Sequence, residues 1–89
     1  MNETRRRIIN LVSDVTQATF SEVEAAHEFA RLPQWDSLMH LRLVLAAEAE
    51  FATRFDIQEV STIASIDSFA SLVENKMAEA GHQTSGIPG

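Results

Sequence analysis

The chain has no cysteine and no tyrosine, two prolines, three glycines and one tryptophan. Without cysteine there is no disulfide framework and no thiolate metal site. No apolar run approaches the ~20 residues needed to span a bilayer, and no apolar signal region follows the basic start. The expectation is a soluble, cytoplasmic protein without membrane insertion. Length is also scarce. Its 89 residues make one domain with a single small core, and leave little material for a substrate cleft with walls of its own. No internal repeat divides it. The hydrophobic fraction of 45% is ordinary for a folded chain and argues against disorder throughout.

Charge is short on the basic side. The net charge is −6, and Arg5, Arg6 and Arg7 lie together at the start, so residues 8 to 89 carry twelve acids against four bases, or −8. Such a surface repels nucleic acid and anionic membrane and suits partners with basic patches. Three arginines fall well short of a nucleic-acid face. A solvated cluster pairing with acids elsewhere fits them better.

Four helices are expected. Residues 3 to 19 form the first, with Ile8, Val12, Val15 and Thr19 at helical spacing, Leu11 beside them, and Asn2 or Thr4 as cap. Residues 20 to 36 form a long connection with apolar anchors Phe20, Val23, Phe29 and Leu32; its stretch from Glu22 to Ala30 suits a helical turn. The second helix runs from Ser37 to Ala52. After a link anchored by Phe55 and Ile57, residues Glu59 to Ala64 make a short third helix with Val60 and Ile63 inward. Ser65 caps the fourth, whose stripe of Ile66, Phe69, Ala70, Val73 and Met77 ends near Glu79. Gly81 stops it. Residues 1 to 80 are then the domain, and residues 81 to 89 a disordered tail.

The chain is organised around Leu32-Pro33-Gln34-Trp35-Asp36-Ser37-Leu38-Met39-His40-Leu41. Pro33 breaks an incoming helix, and Gln34 leaves the backbone free to turn. Asp36 is a favourable N-cap, its carboxylate accepting from first-turn N–H groups. Ser37 is then the first helical residue, its hydroxyl left free at the positive end of the dipole, where an attached phosphate finds donors. A serine at a helix start is, taken alone, usually only a cap. Behind it, His40, Leu43, Val44, Ala47 and Phe51 follow a core stripe. Leu38, Leu41 and Leu45 form a second stripe rotated by roughly 100° or less. Two readings stay open for it: packing under the long connection, or, with Met39, Arg42 and the distal acid Glu48, docking of partner proteins.

Catalysis by the chain is not expected. His27, His40 and His82 lack metal-site spacing. A Ser37–His40–Asp36 triad would place diverging side chains one turn apart, with Asp36 already a cap and no oxyanion hole at hand. His40 reads as a rim or half-buried histidine. Trp35 reads as packing of the connection against the bundle, or as a wall for a partner.

Asp36-Ser37-Leu38 opens an amphipathic run closing on Glu48-Ala49-Glu50-Phe51, and Phe55-Asp56-Ile57 follows. This order, over roughly residues 3 to 79, resembles the acyl carrier proteins. The resemblance implies an all-α four-helix bundle of that type with a long first loop and a short third helix. It further implies that Ser37, beside the motif residue and cap Asp36, carries a covalent 4′-phosphopantetheine arm taken from coenzyme A. The arm's thiol holds an acyl or aminoacyl group as a thioester, and the centre between the second and third helices shelters a short acyl chain. The implied partners are a phosphopantetheinyl transferase and enzymes that load, condense or transfer the cargo, met by a monomeric chain. Gln34 stands where many fatty-acid carriers have glycine, and Met39 and Arg42 stand where those carriers are acidic. The Trp-Asp-Ser-Leu start looks more like stand-alone carriers of polyketide, aminoacyl or modified-lipid pathways. An aminoacyl or peptidyl carrier is one alternative. The other is an unmodified helical adaptor that binds a partner helix through Leu38, Leu41 and Leu45.

Overall fold

A computed structural model describes residues 2–33 and 35–86, with side chains through residue 78. Gln34 and residues 87–89 of the expected tail lie outside the described residues. The described chain is all-helical: α1 Glu3–Thr16, α2 Phe20–Ala26, a 3-10 turn Phe29–Arg31, α3 Ser37–Phe51, α4 Ile57–Thr62 and α5 Ile66–Gly86. It is a small helical bundle of five α-helices rather than four. No strand occurs among the described residues, and one isolated antiparallel bridge pairs Glu28 with Ser65.

The additional helix, α2, arises from the residue expected to finish α1. The Thr19 side chain accepts the Glu22 N–H at 3.1 Å and so caps α2. The spacing Thr19-x-x-Glu22 is the local signal for a helix start that the longer α1 obscured. α1 therefore stops at Thr16, where Gln17 turns left-handed (φ 67°) and its N–H closes on the Ser13 carbonyl at 2.8 Å. Asn2 caps its other end, accepting the Arg5 N–H at 2.7 Å. Ile8, Ile9 and Val12 are buried, whereas Val15, in the last turn of α1, is half-buried and Thr19, beyond its end, is exposed.

Among the described residues fifteen hydrophobic ones form one core, with no buried polar or charged residue. α1 packs against α2, α3 and α5. The core centres on rings: Phe69 meets Phe29 edge-on (6.2 Å, 87°) and Phe55 at 5.7 Å. Each buried ring or aliphatic side chain contributes about 1.5–3 kcal/mol relative to exposure. Phe29, Val23 and Leu32 hold the connection as expected of its anchors. Two backbone bonds pin it further, from the Phe29 N–H to the Ala64 carbonyl (3.1 Å) and from the Ile66 N–H to the His27 carbonyl (2.9 Å). That anchorage fixes where Trp35, Asp36 and Ser37 emerge.

Four further boundaries or placements differ from expectation. α4 begins at Ile57 instead of Glu59, because Asp56 and Glu59 make a reciprocal capping box. Ile57, expected as an anchor, is the first residue of that helix and is 87% exposed. α5 does not stop near Glu79: it runs through Gly81 to Gly86. A glycine inside a helix costs only about 1 kcal/mol relative to alanine, so Gly81 alone does not end it. On the same helix Met77, expected in the core stripe, is exposed. Ser65 caps α5 as expected, accepting the Ser68 N–H at 3.1 Å.

The arginine cluster is used structurally. Arg5 pairs with Asp67 at 3.0 Å, and Arg6 pairs with Glu3. Arg7 grips the end of α3, donating to the Glu50 carboxylate (2.8 Å) and its carbonyl (3.1 Å), with its guanidinium 4.5 Å from the centroid of Phe51. A cation on a helix C-terminus is favoured by the dipole.

Candidate functional site

α3 begins where the connection releases it. Asp36 has extended backbone (φ −149°, ψ −176°), and its Oδ1 accepts the Met39 N–H at 2.8 Å, while its carbonyl accepts the His40 N–H at 3.0 Å. Two first-turn donors are thus occupied. The N–H groups of Ser37 and Leu38 have no partner among the described residues. Ser37 is exposed, and its hydroxyl makes no hydrogen bond among them. With Asp36 doing the capping, the hydroxyl is an accessible group at the positive end of a 15-residue helix.

Leu38, Leu41 and Leu45 are 57%, 49% and 56% exposed. The connection does not cover them, so the reading that it does is set aside. They account, with Ile57 and Met77, for all five exposed large hydrophobic side chains among the described residues. Leu41 and Leu45 also form one wall of a groove of about 450 Å³ between α3 and α4, opposite Phe55, Ile57 and Val60 and floored by Val44.

The other proposed docking residues fall differently. Arg42 is exposed and has no ion pair among the described residues; Met39 is half-buried. Glu48 is occupied: its Oε2 accepts the Phe55 N–H at 2.9 Å, tying α3 to the segment that leads into α4. His40, placed by periodicity on the core stripe, is half-buried, and its Nε2 lies 2.9 Å from the Val60 carbonyl. Asp36 is bonded to the Met39 N–H and His40 to the Val60 carbonyl, and no hydrogen bond links either to the Ser37 hydroxyl among the described residues, so the three form no relay. Trp35 packs the connection down, stacked on Phe29 (5.2 Å) and edge-on to His40 (5.8 Å). The contact of His40 with α4 is the feature that periodicity missed; no sequence signal marks it.

α4 has one perturbed carboxyl. Glu59 is held below the ordinary carboxylate range, first by the hydrogen bond from Lys76 Nζ at 2.7 Å, then by the Asp56 N–H at 2.9 Å, with partial desolvation opposing. A lowered folded-state value stabilises the fold above the unfolded carboxylate range, and this contribution disappears as pH falls through it. Glu59→Gln is expected to lower Tm near neutral pH, with the gap to the wild type closing in acid. Paired thermal melts across that range check it, and a pH-independent gap contradicts it.

No helix among the described residues is long and apolar enough to cross a membrane. Comparison with known proteins found no matching protein family, no matching curated protein and no matching solved structure.

Proposed function

We propose that this chain is a carrier protein of acyl-carrier type, whose Ser37 accepts a 4′-phosphopantetheine arm and whose cargo is an acyl or aminoacyl thioester. The observation that carries the reading is the exposed Ser37 hydroxyl, spared from capping by Asp36, at the head of a helix whose adjoining face exposes Leu38, Leu41 and Leu45. The residues fit the group. The hydroxyl is free to attack the pantetheine-bearing phosphorus of coenzyme A, releasing the nucleotide. The orphan N–H groups of Ser37 and Leu38 offer donors to the resulting phosphodiester anion. The arm supplies a thiol for thioester exchange; the chain supplies the attachment point and the surface that partners recognise. The groove between α3 and α4 suits a short acyl chain. Exposed Arg42 in place of an acid favours a specialised pathway over housekeeping fatty-acid synthesis.

The test is intact mass after incubation with coenzyme A and a broad-specificity phosphopantetheinyl transferase. The wild type gains one arm, and Ser37→Ala gains none. No gain with several transferases overturns the reading. It would favour the second one, an adaptor whose exposed leucine stripe binds a partner helix with Ser37 unmodified.

A further inference from the structure

α4 has six residues and none of them is buried. A helix this short is unstable alone, since one or two turns do not offset the cost of nucleation. Its first turn is secured locally by the Asp56–Glu59 capping box. Beyond that, Val60 is half-buried against the core, and two polar side chains from longer helices reach α4. Lys76 of α5 pairs with Glu59, and His40 of α3 meets the carbonyl of Val60 at 2.9 Å. That carbonyl belongs to the last turn of α4, where acceptors lack partners within the helix; besides His40 it takes, among the described residues, only a longer bond from the Ile63 N–H, at 3.3 Å.

The chemistry of the contact is determined by the acceptor. A carbonyl cannot donate, so His40 Nε2 carries the proton and donates to Val60. The imidazole is itself braced. Trp35 stands edge-on against it, and Trp35 stacks on Phe29, which is buried in the core. One side of the contact is therefore rigid, and the other is an element with no buried residue. Both His40 and Val60 line the groove between α3 and α4.

We propose that His40 is the positioning residue that latches α4 against α3 and sets the width of this apolar groove. The latch belongs to the unmodified chain and does not depend on Ser37 accepting an arm. Releasing the Nε2–Val60 bond frees α4 to swing outward about the segments that flank it, 53–56 and 63–65, while the rest of the bundle keeps its packing.

Amide hydrogen exchange on the isotope-labelled full chain tests this. His40→Phe keeps a ring against Trp35 and removes the donor; His40→Gln keeps an amide donor. In His40→Phe the amides of residues 60–63 are expected to exchange roughly tenfold faster, the scale of one lost hydrogen bond, with those of α1, α3 and α5 held within about twofold. His40→Gln is expected to recover part of the protection. A second readout is anilinonaphthalene sulfonate, an apolar dye, whose fluorescence should rise with His40→Phe as the groove widens. Unchanged α4 exchange overturns the latch. So does acceleration of all helices together, which would make His40 an ordinary packing residue. Faster α4 exchange without added dye binding overturns control of the groove.

Discussion

Phe69→Ala is expected to lower the unfolding free energy by about 3–5 kcal/mol, as large-to-small changes at buried aromatic sites do. Phe69 is fully buried in α5 and meets Phe29 and Phe55 edge-on. Removing it takes away a ring that two others pack against, and each edge contact adds to the area term. A domain of this size is stabilised by about 5–13 kcal/mol in total, so the loss is a large share of the whole. Urea denaturation followed by circular dichroism checks it. The sole tryptophan, stacked on Phe29, reports the same transition by fluorescence. A loss below about 1 kcal/mol would mean that the cavity collapses without cost and the aromatic centre is not the keystone described. The change would also reach the candidate site: Phe29 carries the connection that presents Asp36 and Ser37.

The second large effect separates surface from core. Leu38→Glu with Leu41→Glu is expected to leave the unfolding free energy within about 0.5 kcal/mol, because both residues are about half exposed and neither belongs to the buried core. On the proposed carrier reading, arm transfer to Ser37 by a phosphopantetheinyl transferase should nevertheless slow by roughly 100-fold in kcat/KM, since two apolar anchors at the centre of an interface are worth about 1–2 kcal/mol each. Charge adds to the loss, as two further acids sit beside Ser37. Rates of arm transfer, measured by intact mass, decide it. Equal rates would show that recognition does not pass along this face of α3. Loss of rate together with loss of stability would make the leucines structural.

Much of this architecture could be read from residue order. Asp36 caps α3, Leu43, Val44, Ala47 and Phe51 are buried, and the second leucine stripe stands apart from them, because a period near 3.6 residues assigns faces without tertiary information. The leucine stripe's exposure was one of two readings, and only the position of the connection decides between them. A helical turn is expected over residues 22 to 30, but the start of α2 at Phe20 is obscured because Thr19 fits two patterns, the tail of one helical stripe and the cap of the next helix; its hydrogen bond to Glu22 decides for the second. Met77 is apolar at helical spacing yet exposed, since periodicity fixes a face but not what packs on it, and Ile57, expected to anchor the link, is exposed at the start of α4. Glu48 and His40 illustrate a different limit. Their partners, Phe55 and Val60, lie 7 and 20 residues away, and such bonds exist only once the helices are placed.

The grip of Arg7 on the far end of α3 has a consequence for association. With Asp36 closing the opposite terminus, the rod that displays the leucines is secured at both extremities before anything approaches it. A visitor therefore meets a surface already in its final form, and the entropy of ordering that backbone was settled during folding, not at contact. Weak individual anchors can then suffice for brief, reversible encounters.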